Sequence, residues 1–424
     1  MKTKRFLQWM IAIIYLYGGG VSFAADKTEP LTLAEAEHLA LAISPELKRF
    51  QANSQALQQQ AVADGQLPDP QLLTGMINVP TDTFSFTQDE MTMVQVGVQQ
   101  QFARGHSLKM KSKQTQALAQ AEFKKAFDQT ITLLRNVREI WLDLYYWTKA
   151  LNILHANRLL YKDLLKATQS QYSNGKISQS DVIQVELELS KLSDQEIQIQ
   201  QQLAVLRAQL ARWIGVKEDN RPLALVMPRW PRLPPLNQLQ ARLSKHPLLE
   251  ADAANVKASH YEVAYAKEQY KPGWLLGVSY GFRQGIMLDR MPRSDMLTAQ
   301  VTMDLPFFTA NRQDKQLNAS YNRLNASHWD RQTHYQDLLQ ALNAQYTTWQ
   351  HLSERETIYE KQLLPEAMQN SKAALLAYQN ATTELTTVLR AYSSQLTIQL
   401  EQVQIQVERL KSRATLLYLE GVAL

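Results

Sequence analysis

The stretch Gln171-Tyr-Ser-Asn-Gly-Lys-Ile-Ser-Gln-Ser-Asp-Val182 breaks an otherwise unbroken run of helical sequence. No proline occurs between Thr81 and Arg221, and glycine stands only at 97, 105, 175 and 215. Before the break, Leu133, Val137, Ile140, Leu144, Trp147, Leu151 and Leu154 alternate at spacings of four and three, a coiled-coil seam. After it, Val182, Val185, Leu189, Leu192, Ile199, Leu203, Leu206, Leu210 and Trp213 keep a similar spacing. A helix over 107–172 would be ~100 Å long at about 1.5 Å per residue. A lone helix of that length gains little unless a neighbour covers its stripe. The expectation is therefore an antiparallel hairpin of helices 107–172 and 179–213. Asn174-Gly175 then forms the turn, because both residues tolerate the left-handed conformation that ends a helix.

The same design occurs twice. Pro45, Pro70, Leu73 and Gly75 meet Pro247, Pro272, Leu275 and Gly277 at an offset of 202. Tyr172, Asn174, Val182 and Gly215 meet Tyr378, Asn380, Val388 and Gly421 at an offset of 206. This divides the 424-residue chain into a first repeat at 25–216, a proline-rich connector at 217–235 and a second repeat at 236–424. Each repeat opens with a helical segment (32–66; 236–269) and continues into two alternating segments, a β-hairpin at about 70–101 and another at about 273–306. A long helix, a turn at about 173–178 or 379–384, and a closing helix follow.

Residues 1–24 read as a secretory leader. Lys2, Lys4 and Arg5 precede an apolar core from Phe6 to Tyr17, and Ser22-Phe23-Ala24 supplies small residues for cleavage. The absence of cysteine excludes disulfides and thiolate metal sites. The 45 basic and 40 acidic residues are intermixed rather than clustered, which argues against a nucleic-acid partner. Eight histidines are scattered without ligand spacing, and neither a phosphate-cradling loop nor a Ser-His-Asp arrangement can be placed, so no enzyme activity and no cofactor is expected.

The alternating segments decide between water and membrane. Val94, Val96 and Val98 share one face against Met93, Gln95 and Gly97, and Trp274, Leu276, Val278, Tyr280 and Phe282 oppose Leu275, Gly277, Ser279 and Gly281. Ala299, Val301, Met303 and Leu305 likewise oppose Thr298, Gln300, Thr302 and Asp304. Such strands of about 9–11 residues cross a bilayer when tilted, and Trp274, Phe282, Phe307 and Phe308 suit interfacial girdles. A half-buried sheet in a soluble domain, part of a periplasmic coiled-coil protein, gives the same alternation. Four strands cannot close a barrel, and open edges are not tolerated in lipid, so strands placed in a membrane require an oligomer that pools them.

The signature Tyr172-x-x-Gly175-x-x-x-x-x-Asp181-Val182, the opening Leu31-Thr-Leu-Ala-Glu-Ala36 and Ser44-Pro-Glu-Leu47 resemble the TolC family of outer-membrane efflux ducts, over the whole chain after the leader. The resemblance implies an α+β membrane protein. In it, a long antiparallel α-helical coiled-coil barrel joins a transmembrane β-barrel, four strands per chain and 12 in a homotrimer. It also implies a periplasmic adaptor, an inner-membrane pump of RND type and contact with outer-membrane lipid. By the same resemblance, Ser173, Asn174, Gly175 and Lys176, with Asn380, Ala381 and Thr382, are the periplasmic turns where adaptors dock. Asp181, Gln184, Tyr378, Thr387 and Arg390 stand where relatives narrow the tunnel, with Asp181 expected to pair with Arg390 or to accept a hydrogen bond from Tyr378. Gln66-Leu-Pro-Asp-Pro70, Asn78-Val-Pro80, Glu90-Met-Thr-Met93 and the Gln101–Gly105 segment look most like the heavy-metal branch. Met76, Met91, Met93, Met287, Met291, Met296 and Met303 lie in or beside the hairpins, and thioethers suit soft cations, although methionine also serves as apolar filler. An exit duct for drugs or for type I protein secretion is the alternative.

Overall fold

A computed structural model describes residues 29–218, 221–287 and 289–422; the expected leader at 1–24 lies outside them. The first repeat contains α1 (Leu33–Ile43), α2 (Pro45–Ala63), β1 (Gln71–Ile77), β2 (Met93–Phe102), α3 (Ser107–Ser173) and α4 (Gln179–Ile214). The second contains α5 (Leu236–Arg242), α6 (Pro247–Glu268), β3 (Trp274–Arg283), β4 (Met296–Met303), α7 (Gln313–Ile358), α8 (Leu364–Gln379) and α9 (Leu385–Leu419). Among the described residues no helix is long and apolar enough to cross a membrane.

Each opening helical segment differs from the single helix expected, because a proline splits it. Pro45 and Pro247 sit at the first position of α2 and α6, where the missing amide costs nothing and the fixed φ suits a helix start. Ser44 Oγ accepts the Leu47 N–H, and His246 Nδ1 accepts that of Leu248, so each preceding residue caps the new helix.

At 67 residues α3 is the spine, about 100 Å long. Its seam residues Leu133, Val137 and Leu144, joined by Trp141, which lies outside the expected seam, are buried against α1, α4 and α9 around Ala36, Ala40, Leu210 and Ile214, while Ile140 of the seam is only partly buried. Further along, Leu154, Tyr161 and Leu164 pack with Val185, Leu192, Ile199, Tyr378, Val388 and Tyr392, so both helical hairpins share one core. Helix α7 continues into α8 through a π-helical turn, Tyr359–Leu363. Pro365 supplies the reason: it has no amide hydrogen for the Lys361 carbonyl, and the wider turn absorbs the missing bond. The connector is tied down where Leu31 pairs with Leu223, and Arg221 reaches Glu35 and Glu218.

The four strands form one antiparallel sheet in the order β1-β2-β3-β4. Its register lines up Thr74, Val96 and Tyr280 with Leu297, and Leu72 and Val98 with Val278 and Ala299. One face therefore carries the exposed side chains of Leu72, Met76, Val94, Val96, Val98, Leu276, Val278, Tyr280, Phe282, Leu297 and Val301. The other face carries Gln71, Gln95, Gln99, Gln101, Ser279, Thr298, Gln300 and Thr302, where Gln99 donates to Gln71 and Gln95 to Ser279. Gly97 is required here, since a Cβ would stand 2.5 Å from that of Ser279.

Candidate functional site

Two regions have geometry beyond packing: the sheet, and the two helix turns at the far end of the rods. In the first turn Gly175 adopts φ +71, its N–H bonding Tyr172 O at 2.8 Å while that of Lys176 bonds Gln171 O at 2.9 Å. These are the two bonds of a Schellman cap, which satisfies the last carbonyls of α3. Asn174 Nδ2 and Ser173 Oγ donate to the carbonyls of Ser170 and Gln169. The second turn repeats the motif, with Ala381 N–H on Tyr378 O at 3.0 Å and Thr382 N–H on Ala377 O at 2.9 Å. It does so with alanine at φ +56, where a side chain crowds the following carbonyl at a cost of roughly 1–2 kcal/mol.

The helices leaving the turns start differently. Ser178 and Asp181 form a capping box on α4: Ser178 Oγ accepts the Asp181 N–H at 3.3 Å, and Asp181 Oδ2 accepts the Ser178 N–H at 3.1 Å. On α9 the corresponding residues are Glu384 and Thr387, and no side chain caps the helix.

Asp181 thus faces its own helix end. Within one chain, among the described residues, Asp181 makes no ion pair with Arg390 and no hydrogen bond with Tyr378. The capping box holds the carboxylate, and Arg390 projects into solvent. Tyr378, near Asp181, is 6% exposed with its hydroxyl unbonded among the described residues, and Gln184 Oε1 is also buried without a partner. Burial, then the nearby Asp181 charge, pushes the Tyr378 phenol up from its ordinary value. Thr387 and Arg390 are exposed on the first turns of α9.

Periodicity of the inner seam also left a second stripe on α4 unread. Ile183, Leu187, Ile197 and Val205 are exposed on the face opposite the core, although Ser190, Asp194 and Gln201 interrupt them, so no unbroken heptad marks this stripe. In the hairpins, Met76, Met91, Met287, Met291 and Met303 are exposed, while Met93 is packed over Gly281. Among the described residues no group of three or more His, Asp or Glu gathers to hold a metal ion.

The sequence profile of the family described as outer membrane efflux protein matches residues 239–422, the second repeat. No curated protein sequence matches the chain. The fold is similar to solved structures across nearly its whole length. The outer membrane protein VceC of Vibrio cholerae superposes with a TM-score of 0.77 at 18% identity, covering 92% of this chain and 96% of that one. CusC, a transmembrane channel, gives 0.78 at 15% identity, with 92% of each chain covered. The open state of the Neisseria gonorrhoeae channel MtrE gives 0.74 at 14% identity, covering 92% and 88%. The matched family is one of outer membrane efflux proteins, and two of these neighbours, CusC and MtrE, are channels, not enzymes.

Proposed function

We propose that this chain is the outer-membrane channel of a tripartite efflux system, a homotrimer whose 12 pooled strands close a barrel continued by a helical tunnel through the periplasm of a Gram-negative cell. The observation that carries the reading is the sheet: one apolar face, one polar face and two edges, β1 and β4, unpaired among the described residues. Ten residues of β3 reach about 33 Å, or about 25 Å along the membrane normal when tilted near 40°, the height of a barrel's apolar band. Unpaired strand edges are not stable in hydrocarbon, so copies of the chain must join β4 to β1. The outward stripe on α4 and the family match of the second repeat support the same reading.

Within it, the turns at Ser173–Lys176 and Asn380–Thr382 dock a periplasmic adaptor, which links the duct to an inner-membrane pump of RND type. Asp181, Gln184, Tyr378, Thr387 and Arg390 narrow the tunnel near that end; the unbonded Tyr378 hydroxyl and Gln184 carbonyl favour partners from a neighbouring copy. Heavy-metal cations are the proposed substrate, supported by the exposed methionines of the hairpins. Deleting the gene and scoring growth on copper, silver, zinc, cobalt, cadmium and hydrophobic drugs, with complementation, tests the substrate. Metal-selective sensitivity is expected; sensitivity to drugs alone would move the duct to multidrug export.

A further inference from the structure

Between the turns and the sheet, four helices lie side by side in the order α2, α3, α6, α7. The outer members are α2, which leads into β1, and α7, which follows β4. Each edge helix shows a free face. On α7, Ser320, Leu324, Leu338 and Leu342 are buried, and the opposite face exposes Asn322, Ala326, Trp329, Thr333 and Gln336 at 4-3-4-3 spacing. Trp329 is the one bulky apolar side chain of these five, and it is 70% exposed. On α2, Leu47, Ser54 and Ala61 are buried against α3, and the opposite face exposes Ala52, Gln55, Ala56 and Gln59. Those four stand at i, i+3, i+4 and i+7, the outline of a hole in knobs-into-holes packing.

Knob and hole share a level. Asp252 bonds His334 and Ser259 bonds Ser327, which places Trp329 opposite Lys257 of α6. Lys124 bonds Glu250 and the His106 N–H bonds Glu268, which places Lys257 opposite Ala117 of α3. Ser54 bonds Ala119 O and Ser112 bonds Ala61 O, which places Ala117 opposite Ala56 of α2. A large apolar side chain on one edge therefore stands at the height of an alanine-floored hole on the other.

We propose that Trp329 of one copy seats in the hole formed by Ala52, Gln55, Ala56 and Gln59 of the next copy, keying the register of the helical wall. The occupant is a second copy because both faces border the strands left open for pairing, and the inference rests on the oligomeric reading above. The chain has no cysteine, so introduced thiols are the only ones present. Full-length protein carrying Trp329→Cys with Ala56→Cys is oxidised in membranes, beside a control with Gln340→Cys and Ala56→Cys. Gln340 lies on the same α7 face, about 16 Å along the helix. Covalent dimers and trimers from the first pair and none from the control are expected. Trimers by native mass spectrometry without the first cross-link, or equal cross-linking of both pairs, would overturn the keyed contact while leaving the trimer standing. A protein that is monomeric by mass would overturn both.

Discussion

At the residue scale the two turns make a matched pair with one difference. Gly175 and Ala381 occupy the same left-handed position, and only glycine is free of strain there. Ala381→Gly is expected to raise stability by about 0.5–1 kcal/mol, and Gly175→Ala to lower it by about 1 kcal/mol, by thermal unfolding in detergent. The glycine was legible in the sequence. The strain at Ala381 was not, because nothing local marks an alanine as left-handed; only alignment of the repeats, Gly175 onto Ala381, exposes it. A second residue-scale test concerns Asp128 on α3. It accepts a hydrogen bond from Tyr418 and lies near Asp252, and burial first, with Asp252 adding, holds its carboxyl above the usual carboxylate range. A raised native pKa means the folded state prefers the protonated form, so stability falls as pH rises from the unfolded value near 3.9 through the native one. Asp128→Asn removes that loss. It should melt a few degrees higher than the parent at neutral pH, with the difference vanishing near pH 3; no gain at pH 7 would refute the burial argument.

At the scale of elements, the two faces of the sheet should respond oppositely to charge. Val278 lies on the apolar face and Thr298 on the polar one. Val278→Arg is expected to cost about 2–4 kcal/mol and to prevent membrane assembly, whereas Thr298→Lys should assemble normally. Recovery in heat-modifiable, detergent-extracted form separates the cases, and equal tolerance would place the sheet in water. Gly97→Val should block pairing of β2 with β3, because its side chain would collide with Ser279. Strand alternation and the α3 seam could be read directly, since periods of two and three-and-a-half each fix one buried face. The helix starts at Pro45 and Pro247 carried their signal too, a capping residue followed by proline, but continuous periodicity across each junction masked it. The π-helical turn could not be placed beforehand, because a proline inside a helix announces a defect without choosing between kink, break and wide turn.

At the scale of the whole molecule, the exposed apolar surface is the largest unbalanced feature. The sheet presents one uncovered apolar face, and the stripe on α4 and Trp329 on α7 add further patches along the rod. An exposed apolar face as broad as that of the sheet marks an interface with lipid or protein rather than ordinary soluble surface. The residues proposed to narrow a tunnel were harder to read than the fold. The capping box at Ser178 and Asp181 satisfies a local need that the repeat comparison could not reveal, and Tyr378 and Gln184 keep buried polar atoms without partners inside one chain. The measurement that tests the trimeric membrane duct most directly is the native mass of the detergent-extracted, full-length protein taken from membranes. Three chains per particle, recovered only with detergent, is the expected result; a monomer in the aqueous fraction would contradict it.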